Sequence, residues 1–256
     1  MKALRFGLLV LSSVLGAAAQ PDDALFTALL MDHVDAQGLV DYAALRTDER
    51  LPRYLATLAA TDPATLPNDD ARLAFWINAY NAYTLQLIAD HYPIKSINEL
   101  ATGGKYLGYL IGQTAWDIKF APINGERLTL NHIEHDIIRK RFSEPRIHFA
   151  LVCAAISCPP LRREAFVGAK LETQLREQGE IFLRDPAKNR FDPAKRIATI
   201  SKVFDWFKVD FGTSEARVLA SVASFVSPPS GPLLARYPAS WKIEYTHYNW
   251  ALNAQP

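Results

Sequence analysis

Residues 69–91 contain A-F-W-I-N-A-Y-N-A-Y-T-L, which as a helix is apolar nearly all the way round. Asp69-Asp70 at its start and Pro93 just past His91 bound one long helix, with Trp76, Tyr80, Tyr83 and Leu87 on a shared face. A helix of this kind has no solvent side, so the remaining chain must enclose it. Enclosure takes Asn78 and Asn81 inside as well, and buried amides need partners. Two roles are open to them: bonding loop backbone and so pinning the helix, or lining a pocket where an amide binds a substrate carbonyl or stabilises an oxyanion.

A second stretch, R-I-H-F-A-L-V-C-A-A-I-S-C-P-P-L over residues 146–161, holds one of the six histidines and both cysteines. Its apolar run over 147–152 is short, contains β-branched residues and is followed by prolines, which predicts a central strand. Ser157 suits an N-cap and Pro159 or Pro160 a first helical turn, so a helix is expected from Pro159 through Leu161, Phe166, Leu171 and Leu175. Cys158 then falls at a helix N-terminus, where free N–H groups and the helix dipole favour a thiolate. The competing reading is a Cys153–Cys158 disulfide, whose short loop stabilises by about 2 kcal/mol on the chain-entropy model.

The rest of the chain reads as mostly helical. Asp22 or Asp23 caps a helix ending before Gly38, and a second helical segment from Tyr42 to Leu58 is interrupted at Pro52. Asn124-Gly125 turns a hairpin within 118–130, residues 197–200 form a short strand, and Ser201 caps a brief helix ending near Gly212. A helix over 215–225 and a terminal strand around Ile243 and Tyr245 follow. The expected fold is α+β: one mostly helical domain over residues 20–256, packed on a small antiparallel sheet. The glycine loop over 101–108 lacks the ending of a P-loop, so phosphate binding is not expected there.

Residues 131–139 spell N-H-I-E-H-D-I-I-R. His132 and His135 lie one turn apart, but neither zinc-peptidase spacing is present, so no metal site and no cofactor is expected. Glu134 and His135 instead suggest a base and a carboxylate, although adjacent helical residues diverge by about 100° and do not face each other.

Lys2 and Arg5, an apolar run over 6–15 and the alanines at 17–19 form an expected leader, cleaved after Ala19, that sends the protein to the periplasm or outside the cell. No stretch is long and apolar enough to span a membrane. With 28 basic against 27 acidic side chains, charge offers no argument for a nucleic-acid partner. The expected partner is an unidentified substrate or ligand of the cell envelope.

Four motifs in one order, F-W-I-N-A-Y-N-A-Y-T-L, L-N-H-I-E-H with a following arginine, R-I-H-F-A-L-V-C with S-C-P-P-L, and Y-N-W-A-L-N, resemble family 547 of the domains of unknown function over about residues 40–253. The resemblance implies shared positions at Asn78, Tyr80, Asn81, Glu134, His135, Arg139, Arg146, His148, Cys153, Cys158, Pro159, Tyr248, Asn249, Trp250 and Asn253, and it implies no activity. Members often end in Y-D-W where this chain has Asn249; if that carboxylate orients a histidine, an amide replaces it here.

Two classes of function follow. In the first, a thiol hydrolase or transferase, Cys158 or Cys153 attacks an amide or ester carbonyl and one of His135, His148 and His247 takes the proton. Glu134 assists, Asn78 or Asn81 steadies the oxyanion, and Arg146 binds substrate. In the second, the cysteines are bridged and the polar motif residues hold a core network or a binding cleft.

Overall fold

In the computed structural model of the protein, residues 20–101 and 113–256 are described; the expected leader and the glycine loop over 102–108 lie outside them. Helix α1 (Asp23–His33) is capped by Asp22, whose side chain accepts from the Leu25 N–H. Two further helices follow, α2 (Tyr42–Leu45) and α3 (Arg50–Ala60). Pro52 does not interrupt the second segment: it sits in the first turn of α3, where its missing N–H costs nothing, and the break falls at 46–49 instead.

The long helix α4 (Asp69–His91) is capped by Asn68 and buries residues on every face, from Leu73 to Ala89. Its two asparagines, 1% and 3% exposed, hold backbone from distant parts of the chain. Asn78 accepts from the Phe166 N–H at 2.8 Å and donates to the Phe166 carbonyl at 2.7 Å. Asn81 accepts from the Val152 N–H at 3.0 Å and donates to the Ala150 carbonyl at 2.9 Å.

Those bonds explain why the expected central strand is absent. Residues Pro145–Phe149 form a 3-10 turn, and the extended residues after it take their backbone partners from Asn81 rather than from a neighbouring strand. The helix expected from Pro159 is absent too. The chain stays irregular until Gly168–Lys170, and α6 (Leu171–Arg184) begins only after it. From α6, Gln174 bonds the Val167 N–H and the Ala165 carbonyl, while Gln178 bonds the Phe149 and Pro160 carbonyls. Close packing also precludes a helix there: Gly38, at φ +79°, lies so near that a Cβ would sit 2.5 Å from the Pro160 Cβ. Cys158 is therefore in a loop, not at a helix N-terminus.

Between these helices lie the hairpin β1 (Ala121–Ile123) and β2 (Glu126–Leu128), turned at Asn124-Gly125 as expected, and a π-helix over His132–Ile138 that runs into α5 (Arg139–Arg141). A second sheet holds β3 (Arg190–Asp192), β4 (Ile197–Ile200) and β5 (Lys242–Tyr245). β3 and β4 pair antiparallel, but β4 and β5 pair parallel, with Ile197 opposite Lys242, so this sheet is mixed. Four more helices, α7 (Val203–Trp206), α8 (Lys208–Phe211), α9 (Glu215–Val222) and α10 (Ser230–Arg236), lie between β4 and β5 in the sequence and make the crossover that joins these parallel neighbours. The architecture is mostly helical α+β, and among the described residues no helix is long and apolar enough to cross a membrane.

The C-terminal motif closes the fold. Leu252 bridges Ala155, Ile156 donates to the Ala251 carbonyl, and Ser157 donates to the Asn249 carbonyl, so Y-N-W-A-L-N lies along the loop between the cysteines. Asn253, 4% exposed, accepts from the Tyr42 hydroxyl at 2.8 Å.

Replacing Asn78 or Asn81 by alanine leaves a buried carbonyl and N–H without their partner, and each change is expected to cost about 1–3 kcal/mol in denaturant melts. His132→Ala, at an exposed position, is expected to change stability by less than about 0.5 kcal/mol.

Candidate functional site

A cavity of about 780 Å³ opens between the π-helix, the loop bearing the cysteines, helix α7 with Phe207 after it, and the C-terminal segment. Glu134, His135, His148, Cys153 and Cys158, five residues singled out from sequence, all line it. Asn78, Asn81 and Arg146 do not. The first two hold backbone, as described, and Arg146 pairs with Glu144 and Glu172 beside a separate surface hollow. His247 is exposed and borders another hollow with Ser96 and Asn98. His132 faces Asp136 at the surface, and among the described residues no group of three or more His, Cys, Asp or Glu side chains is arranged to hold a metal ion.

The π-helix explains how neighbours Glu134 and His135 both reach the cavity. Its last turn is widened, the Arg139 N–H bonding the Glu134 carbonyl five residues back. Glu134 is 7% exposed and bonds the Tyr80 hydroxyl, which is also bonded to the Trp116 indole. Burial pushes its carboxyl up to about 7, although Tyr80 and the charge of Arg139 pull the other way. Burial likewise raises the Tyr80 phenol well above its ordinary value, so Tyr80 remains a donor.

His135 accepts from the Arg139 guanidinium on Nδ1 at 3.0 Å, and because arginine has no acceptor that nitrogen is unprotonated. Burial, then the charge of Arg139, lowers its pKa; the neutral ring carries its proton on Nε2. Arg139 also grips both oxygens of Asp210, at 2.6 and 2.9 Å. Asp210 in turn accepts from His148 Nε2 at 2.7 Å. Burial pushes Asp210 up, but the His148 and Arg139 bonds outweigh it and hold the carboxyl well below the usual range. His148 stacks on Phe207 at 3.9 Å, and its burial lowers its pKa in spite of Asp210.

Asp117 stands on another wall. Burial raises it, but bonds from Thr114 and Asn131 prevail and keep it ionised. The remaining wall is aromatic: Trp206 lies 5.7 Å from Trp250 and 4.7 Å from Tyr248, and Trp116 packs edge-on to Trp250 at 5.8 Å. Trp206 is 44% exposed.

Cys153 and Cys158 are paired as a disulfide, with their Cα atoms 6.4 Å apart. The Tyr248 hydroxyl touches both sulfurs, at 3.3 and 3.1 Å, and the Cys153 N–H donates to Cys158 Sγ at 3.2 Å. The cavity histidines bond Arg139 and Asp210 instead. Asn249 orients no histidine either; its side chain accepts from the Ala251 N–H, a local turn that an aspartate makes equally well.

Sequence reasoning missed Asp117, Asp210, Trp116 and Trp206. Asp210 lies 71 positions from its partner Arg139, and no local pattern marks it. Tyr80, Arg139, Pro159, Tyr248 and Trp250, which also line the cavity, do lie in the motifs.

Replacing Glu134 by glutamine, which mimics the protonated acid, tests the burial account. A carboxyl raised from about 4.5 to about 7 binds its proton more tightly in the folded state, so its contribution is full below pH 4.5 and is lost as pH rises through 7. Relative to the wild type, E134Q is expected to gain about 3 kcal/mol at pH 8 and nothing at pH 4. Asp23, raised by burial to about 6, slopes the same way in both proteins and drops out of the difference. Denaturant melts across that pH range provide the measurement.

No curated protein and no solved structure matches the chain. Residues 63–183, which carry α4, the π-helix and both cysteines, match the family described as "Protein of unknown function, DUF547", a shorter stretch than the motifs cover, and this bears out the resemblance read from them.

Proposed function

We propose that the cavity is the active site of an envelope hydrolase or transferase that works by acid–base chemistry at Glu134, on an amide or ester bond of a sugar-bearing substrate. The observation that carries this reading is one cavity lined by carboxyls pushed in opposite directions, Glu134 up to about 7 and Asp117 down, with Asp210, also held low, behind the lining residues Arg139 and His148. At neutral pH Glu134 takes a proton from an attacking water or hydroxyl and returns it to the leaving atom. His135, with its proton on Nε2, is the donor for a carbonyl oxygen that becomes an oxyanion.

The substrate class follows from the aromatic wall. The exposed Trp206, backed by Trp250, offers a face for the C–H side of a sugar ring, and Asp117, Asn131 and Glu134 offer bonds to its hydroxyls. The envelope location rests on the expected leader.

The thiol form of this enzyme, with Cys158 or Cys153 as nucleophile, requires the pair to be reduced. As a disulfide it supplies no thiolate, and this favours a second reading, a non-catalytic binding protein using the same cavity.

Soluble peptidoglycan fragments, which carry amide-bearing amino sugars, are the test substrates. The wild type is expected to bind and cleave them, and W206A to bind weakly. E134Q is expected to bind within about threefold of the wild type and turn over about 100-fold more slowly or worse. Binding without product by both the wild type and E134Q supports the binding protein. Equal turnover by the two, or no binding by either, contradicts the site, and turnover that appears only with added reductant restores the thiol enzyme.

A further inference from the structure

The acid–base chemistry does not use the disulfide that lines the cavity, and its two sulfurs are not equivalent. Both line the cavity, but Cys158 is 2% exposed whereas Cys153 is only partly buried. The buried sulfur has two donors, the Tyr248 hydroxyl at 3.1 Å and the Cys153 N–H at 3.2 Å, whereas Cys153 Sγ has that same hydroxyl at the longer distance of 3.3 Å. Two hydrogen bonds onto one sulfur are the arrangement that stabilises a thiolate there. The intervening loop is shaped to make them: Ala154 adopts φ +57°, an unfavourable region for alanine, held by the Asn253 N–H on the Ala154 carbonyl.

We propose that Cys153–Cys158 is a redox-active pair that exchanges with small thiols admitted to the cavity. A thiolate attacks Cys153 Sγ, the reachable sulfur; the S–S bond breaks and its electron pair leaves on Cys158 Sγ, which Tyr248 and the Cys153 N–H stabilise. A second thiolate attacks the incoming sulfur of the mixed disulfide and releases Cys153. The net change joins two thiols into one disulfide and reduces the pair to a dithiol, the two protons passing from the incoming thiols to the cysteines. Tyr248 is a catalytic residue of this exchange, because it touches the leaving sulfur.

Glutathione is the probe, applied to the native, oxidised protein at millimolar concentration without denaturant, with alkylation and peptide mapping as the readout. The pair is expected to be reduced in the folded protein, through an adduct found on Cys153 and not on Cys158. Y248F, which removes one hydrogen bond to a charged sulfur, is expected to slow that reduction about tenfold. With oxidised glutathione, C158S should take up the adduct on Cys153, while C153S should take up none on Cys158. Reduction only after unfolding, adducts on Cys158, or a Y248F rate equal to the wild type overturns the proposal. The comparison of wild type with Y248F, each checked by near-ultraviolet circular dichroism, decides the matter even where a serine variant does not fold.

Discussion

The fold depends on a buried amide on a helix standing in for a β-strand. Asn81, enclosed by α4's neighbours, presents one acceptor and one donor to the Val152 N–H and the Ala150 carbonyl, as an adjacent strand would. Cys153 follows at once, so the position of the disulfide is fixed from α4 through a single side chain. Asn78 repeats the device on Phe166, and Gln174 and Gln178 repeat it from α6. Residues 150–167 are thus an irregular, largely buried segment whose polar backbone is satisfied in good part by side chains, a state otherwise prohibitive in a core.

The same segment separates what was legible in the sequence from what was not. The long helix, the Asn-Gly hairpin and the strand at 197–200 are set by local periodicity and turn chemistry, and they appear where these place them. Residues 147–152 carry the composition of a strand because they are buried, but burial alone does not specify a ladder, and the partner that decided their conformation lies some 70 positions earlier. Ser157 and Pro159 are good helix starters overridden by tertiary contact: the Ser157 hydroxyl accepts from the Asn249 N–H, and Pro160 is packed against Gly38. For the site, motif residues Glu134, His135, His148 and the cysteines converge, while Asp210 and Asp117, which set the electrostatics, carry no local mark.

Around the cavity, charges are arranged so that few are free. Arg139 and Asp210 neutralise each other, with His135 and His148 attached to either end as neutral rings, and Asp117 is held by Thr114 and Asn131. Glu134 is the exception. It has a phenol for a partner and, among the described residues, no arginine ion-paired with its carboxyl, so its proton is retained to near neutrality and remains exchangeable. A π-turn, unfavourable as regular helix, is what brings it beside His135.

The most direct test of this account is the titration of that one carboxyl. Isotope-edited infrared spectroscopy on wild type and E134Q isolates the protonated carboxyl band of Glu134. The account predicts a band that persists above pH 6, disappears with a midpoint near 7 and is missing from E134Q; a band already lost by pH 5, the ordinary range for a solvated glutamate of about 4.3, contradicts it.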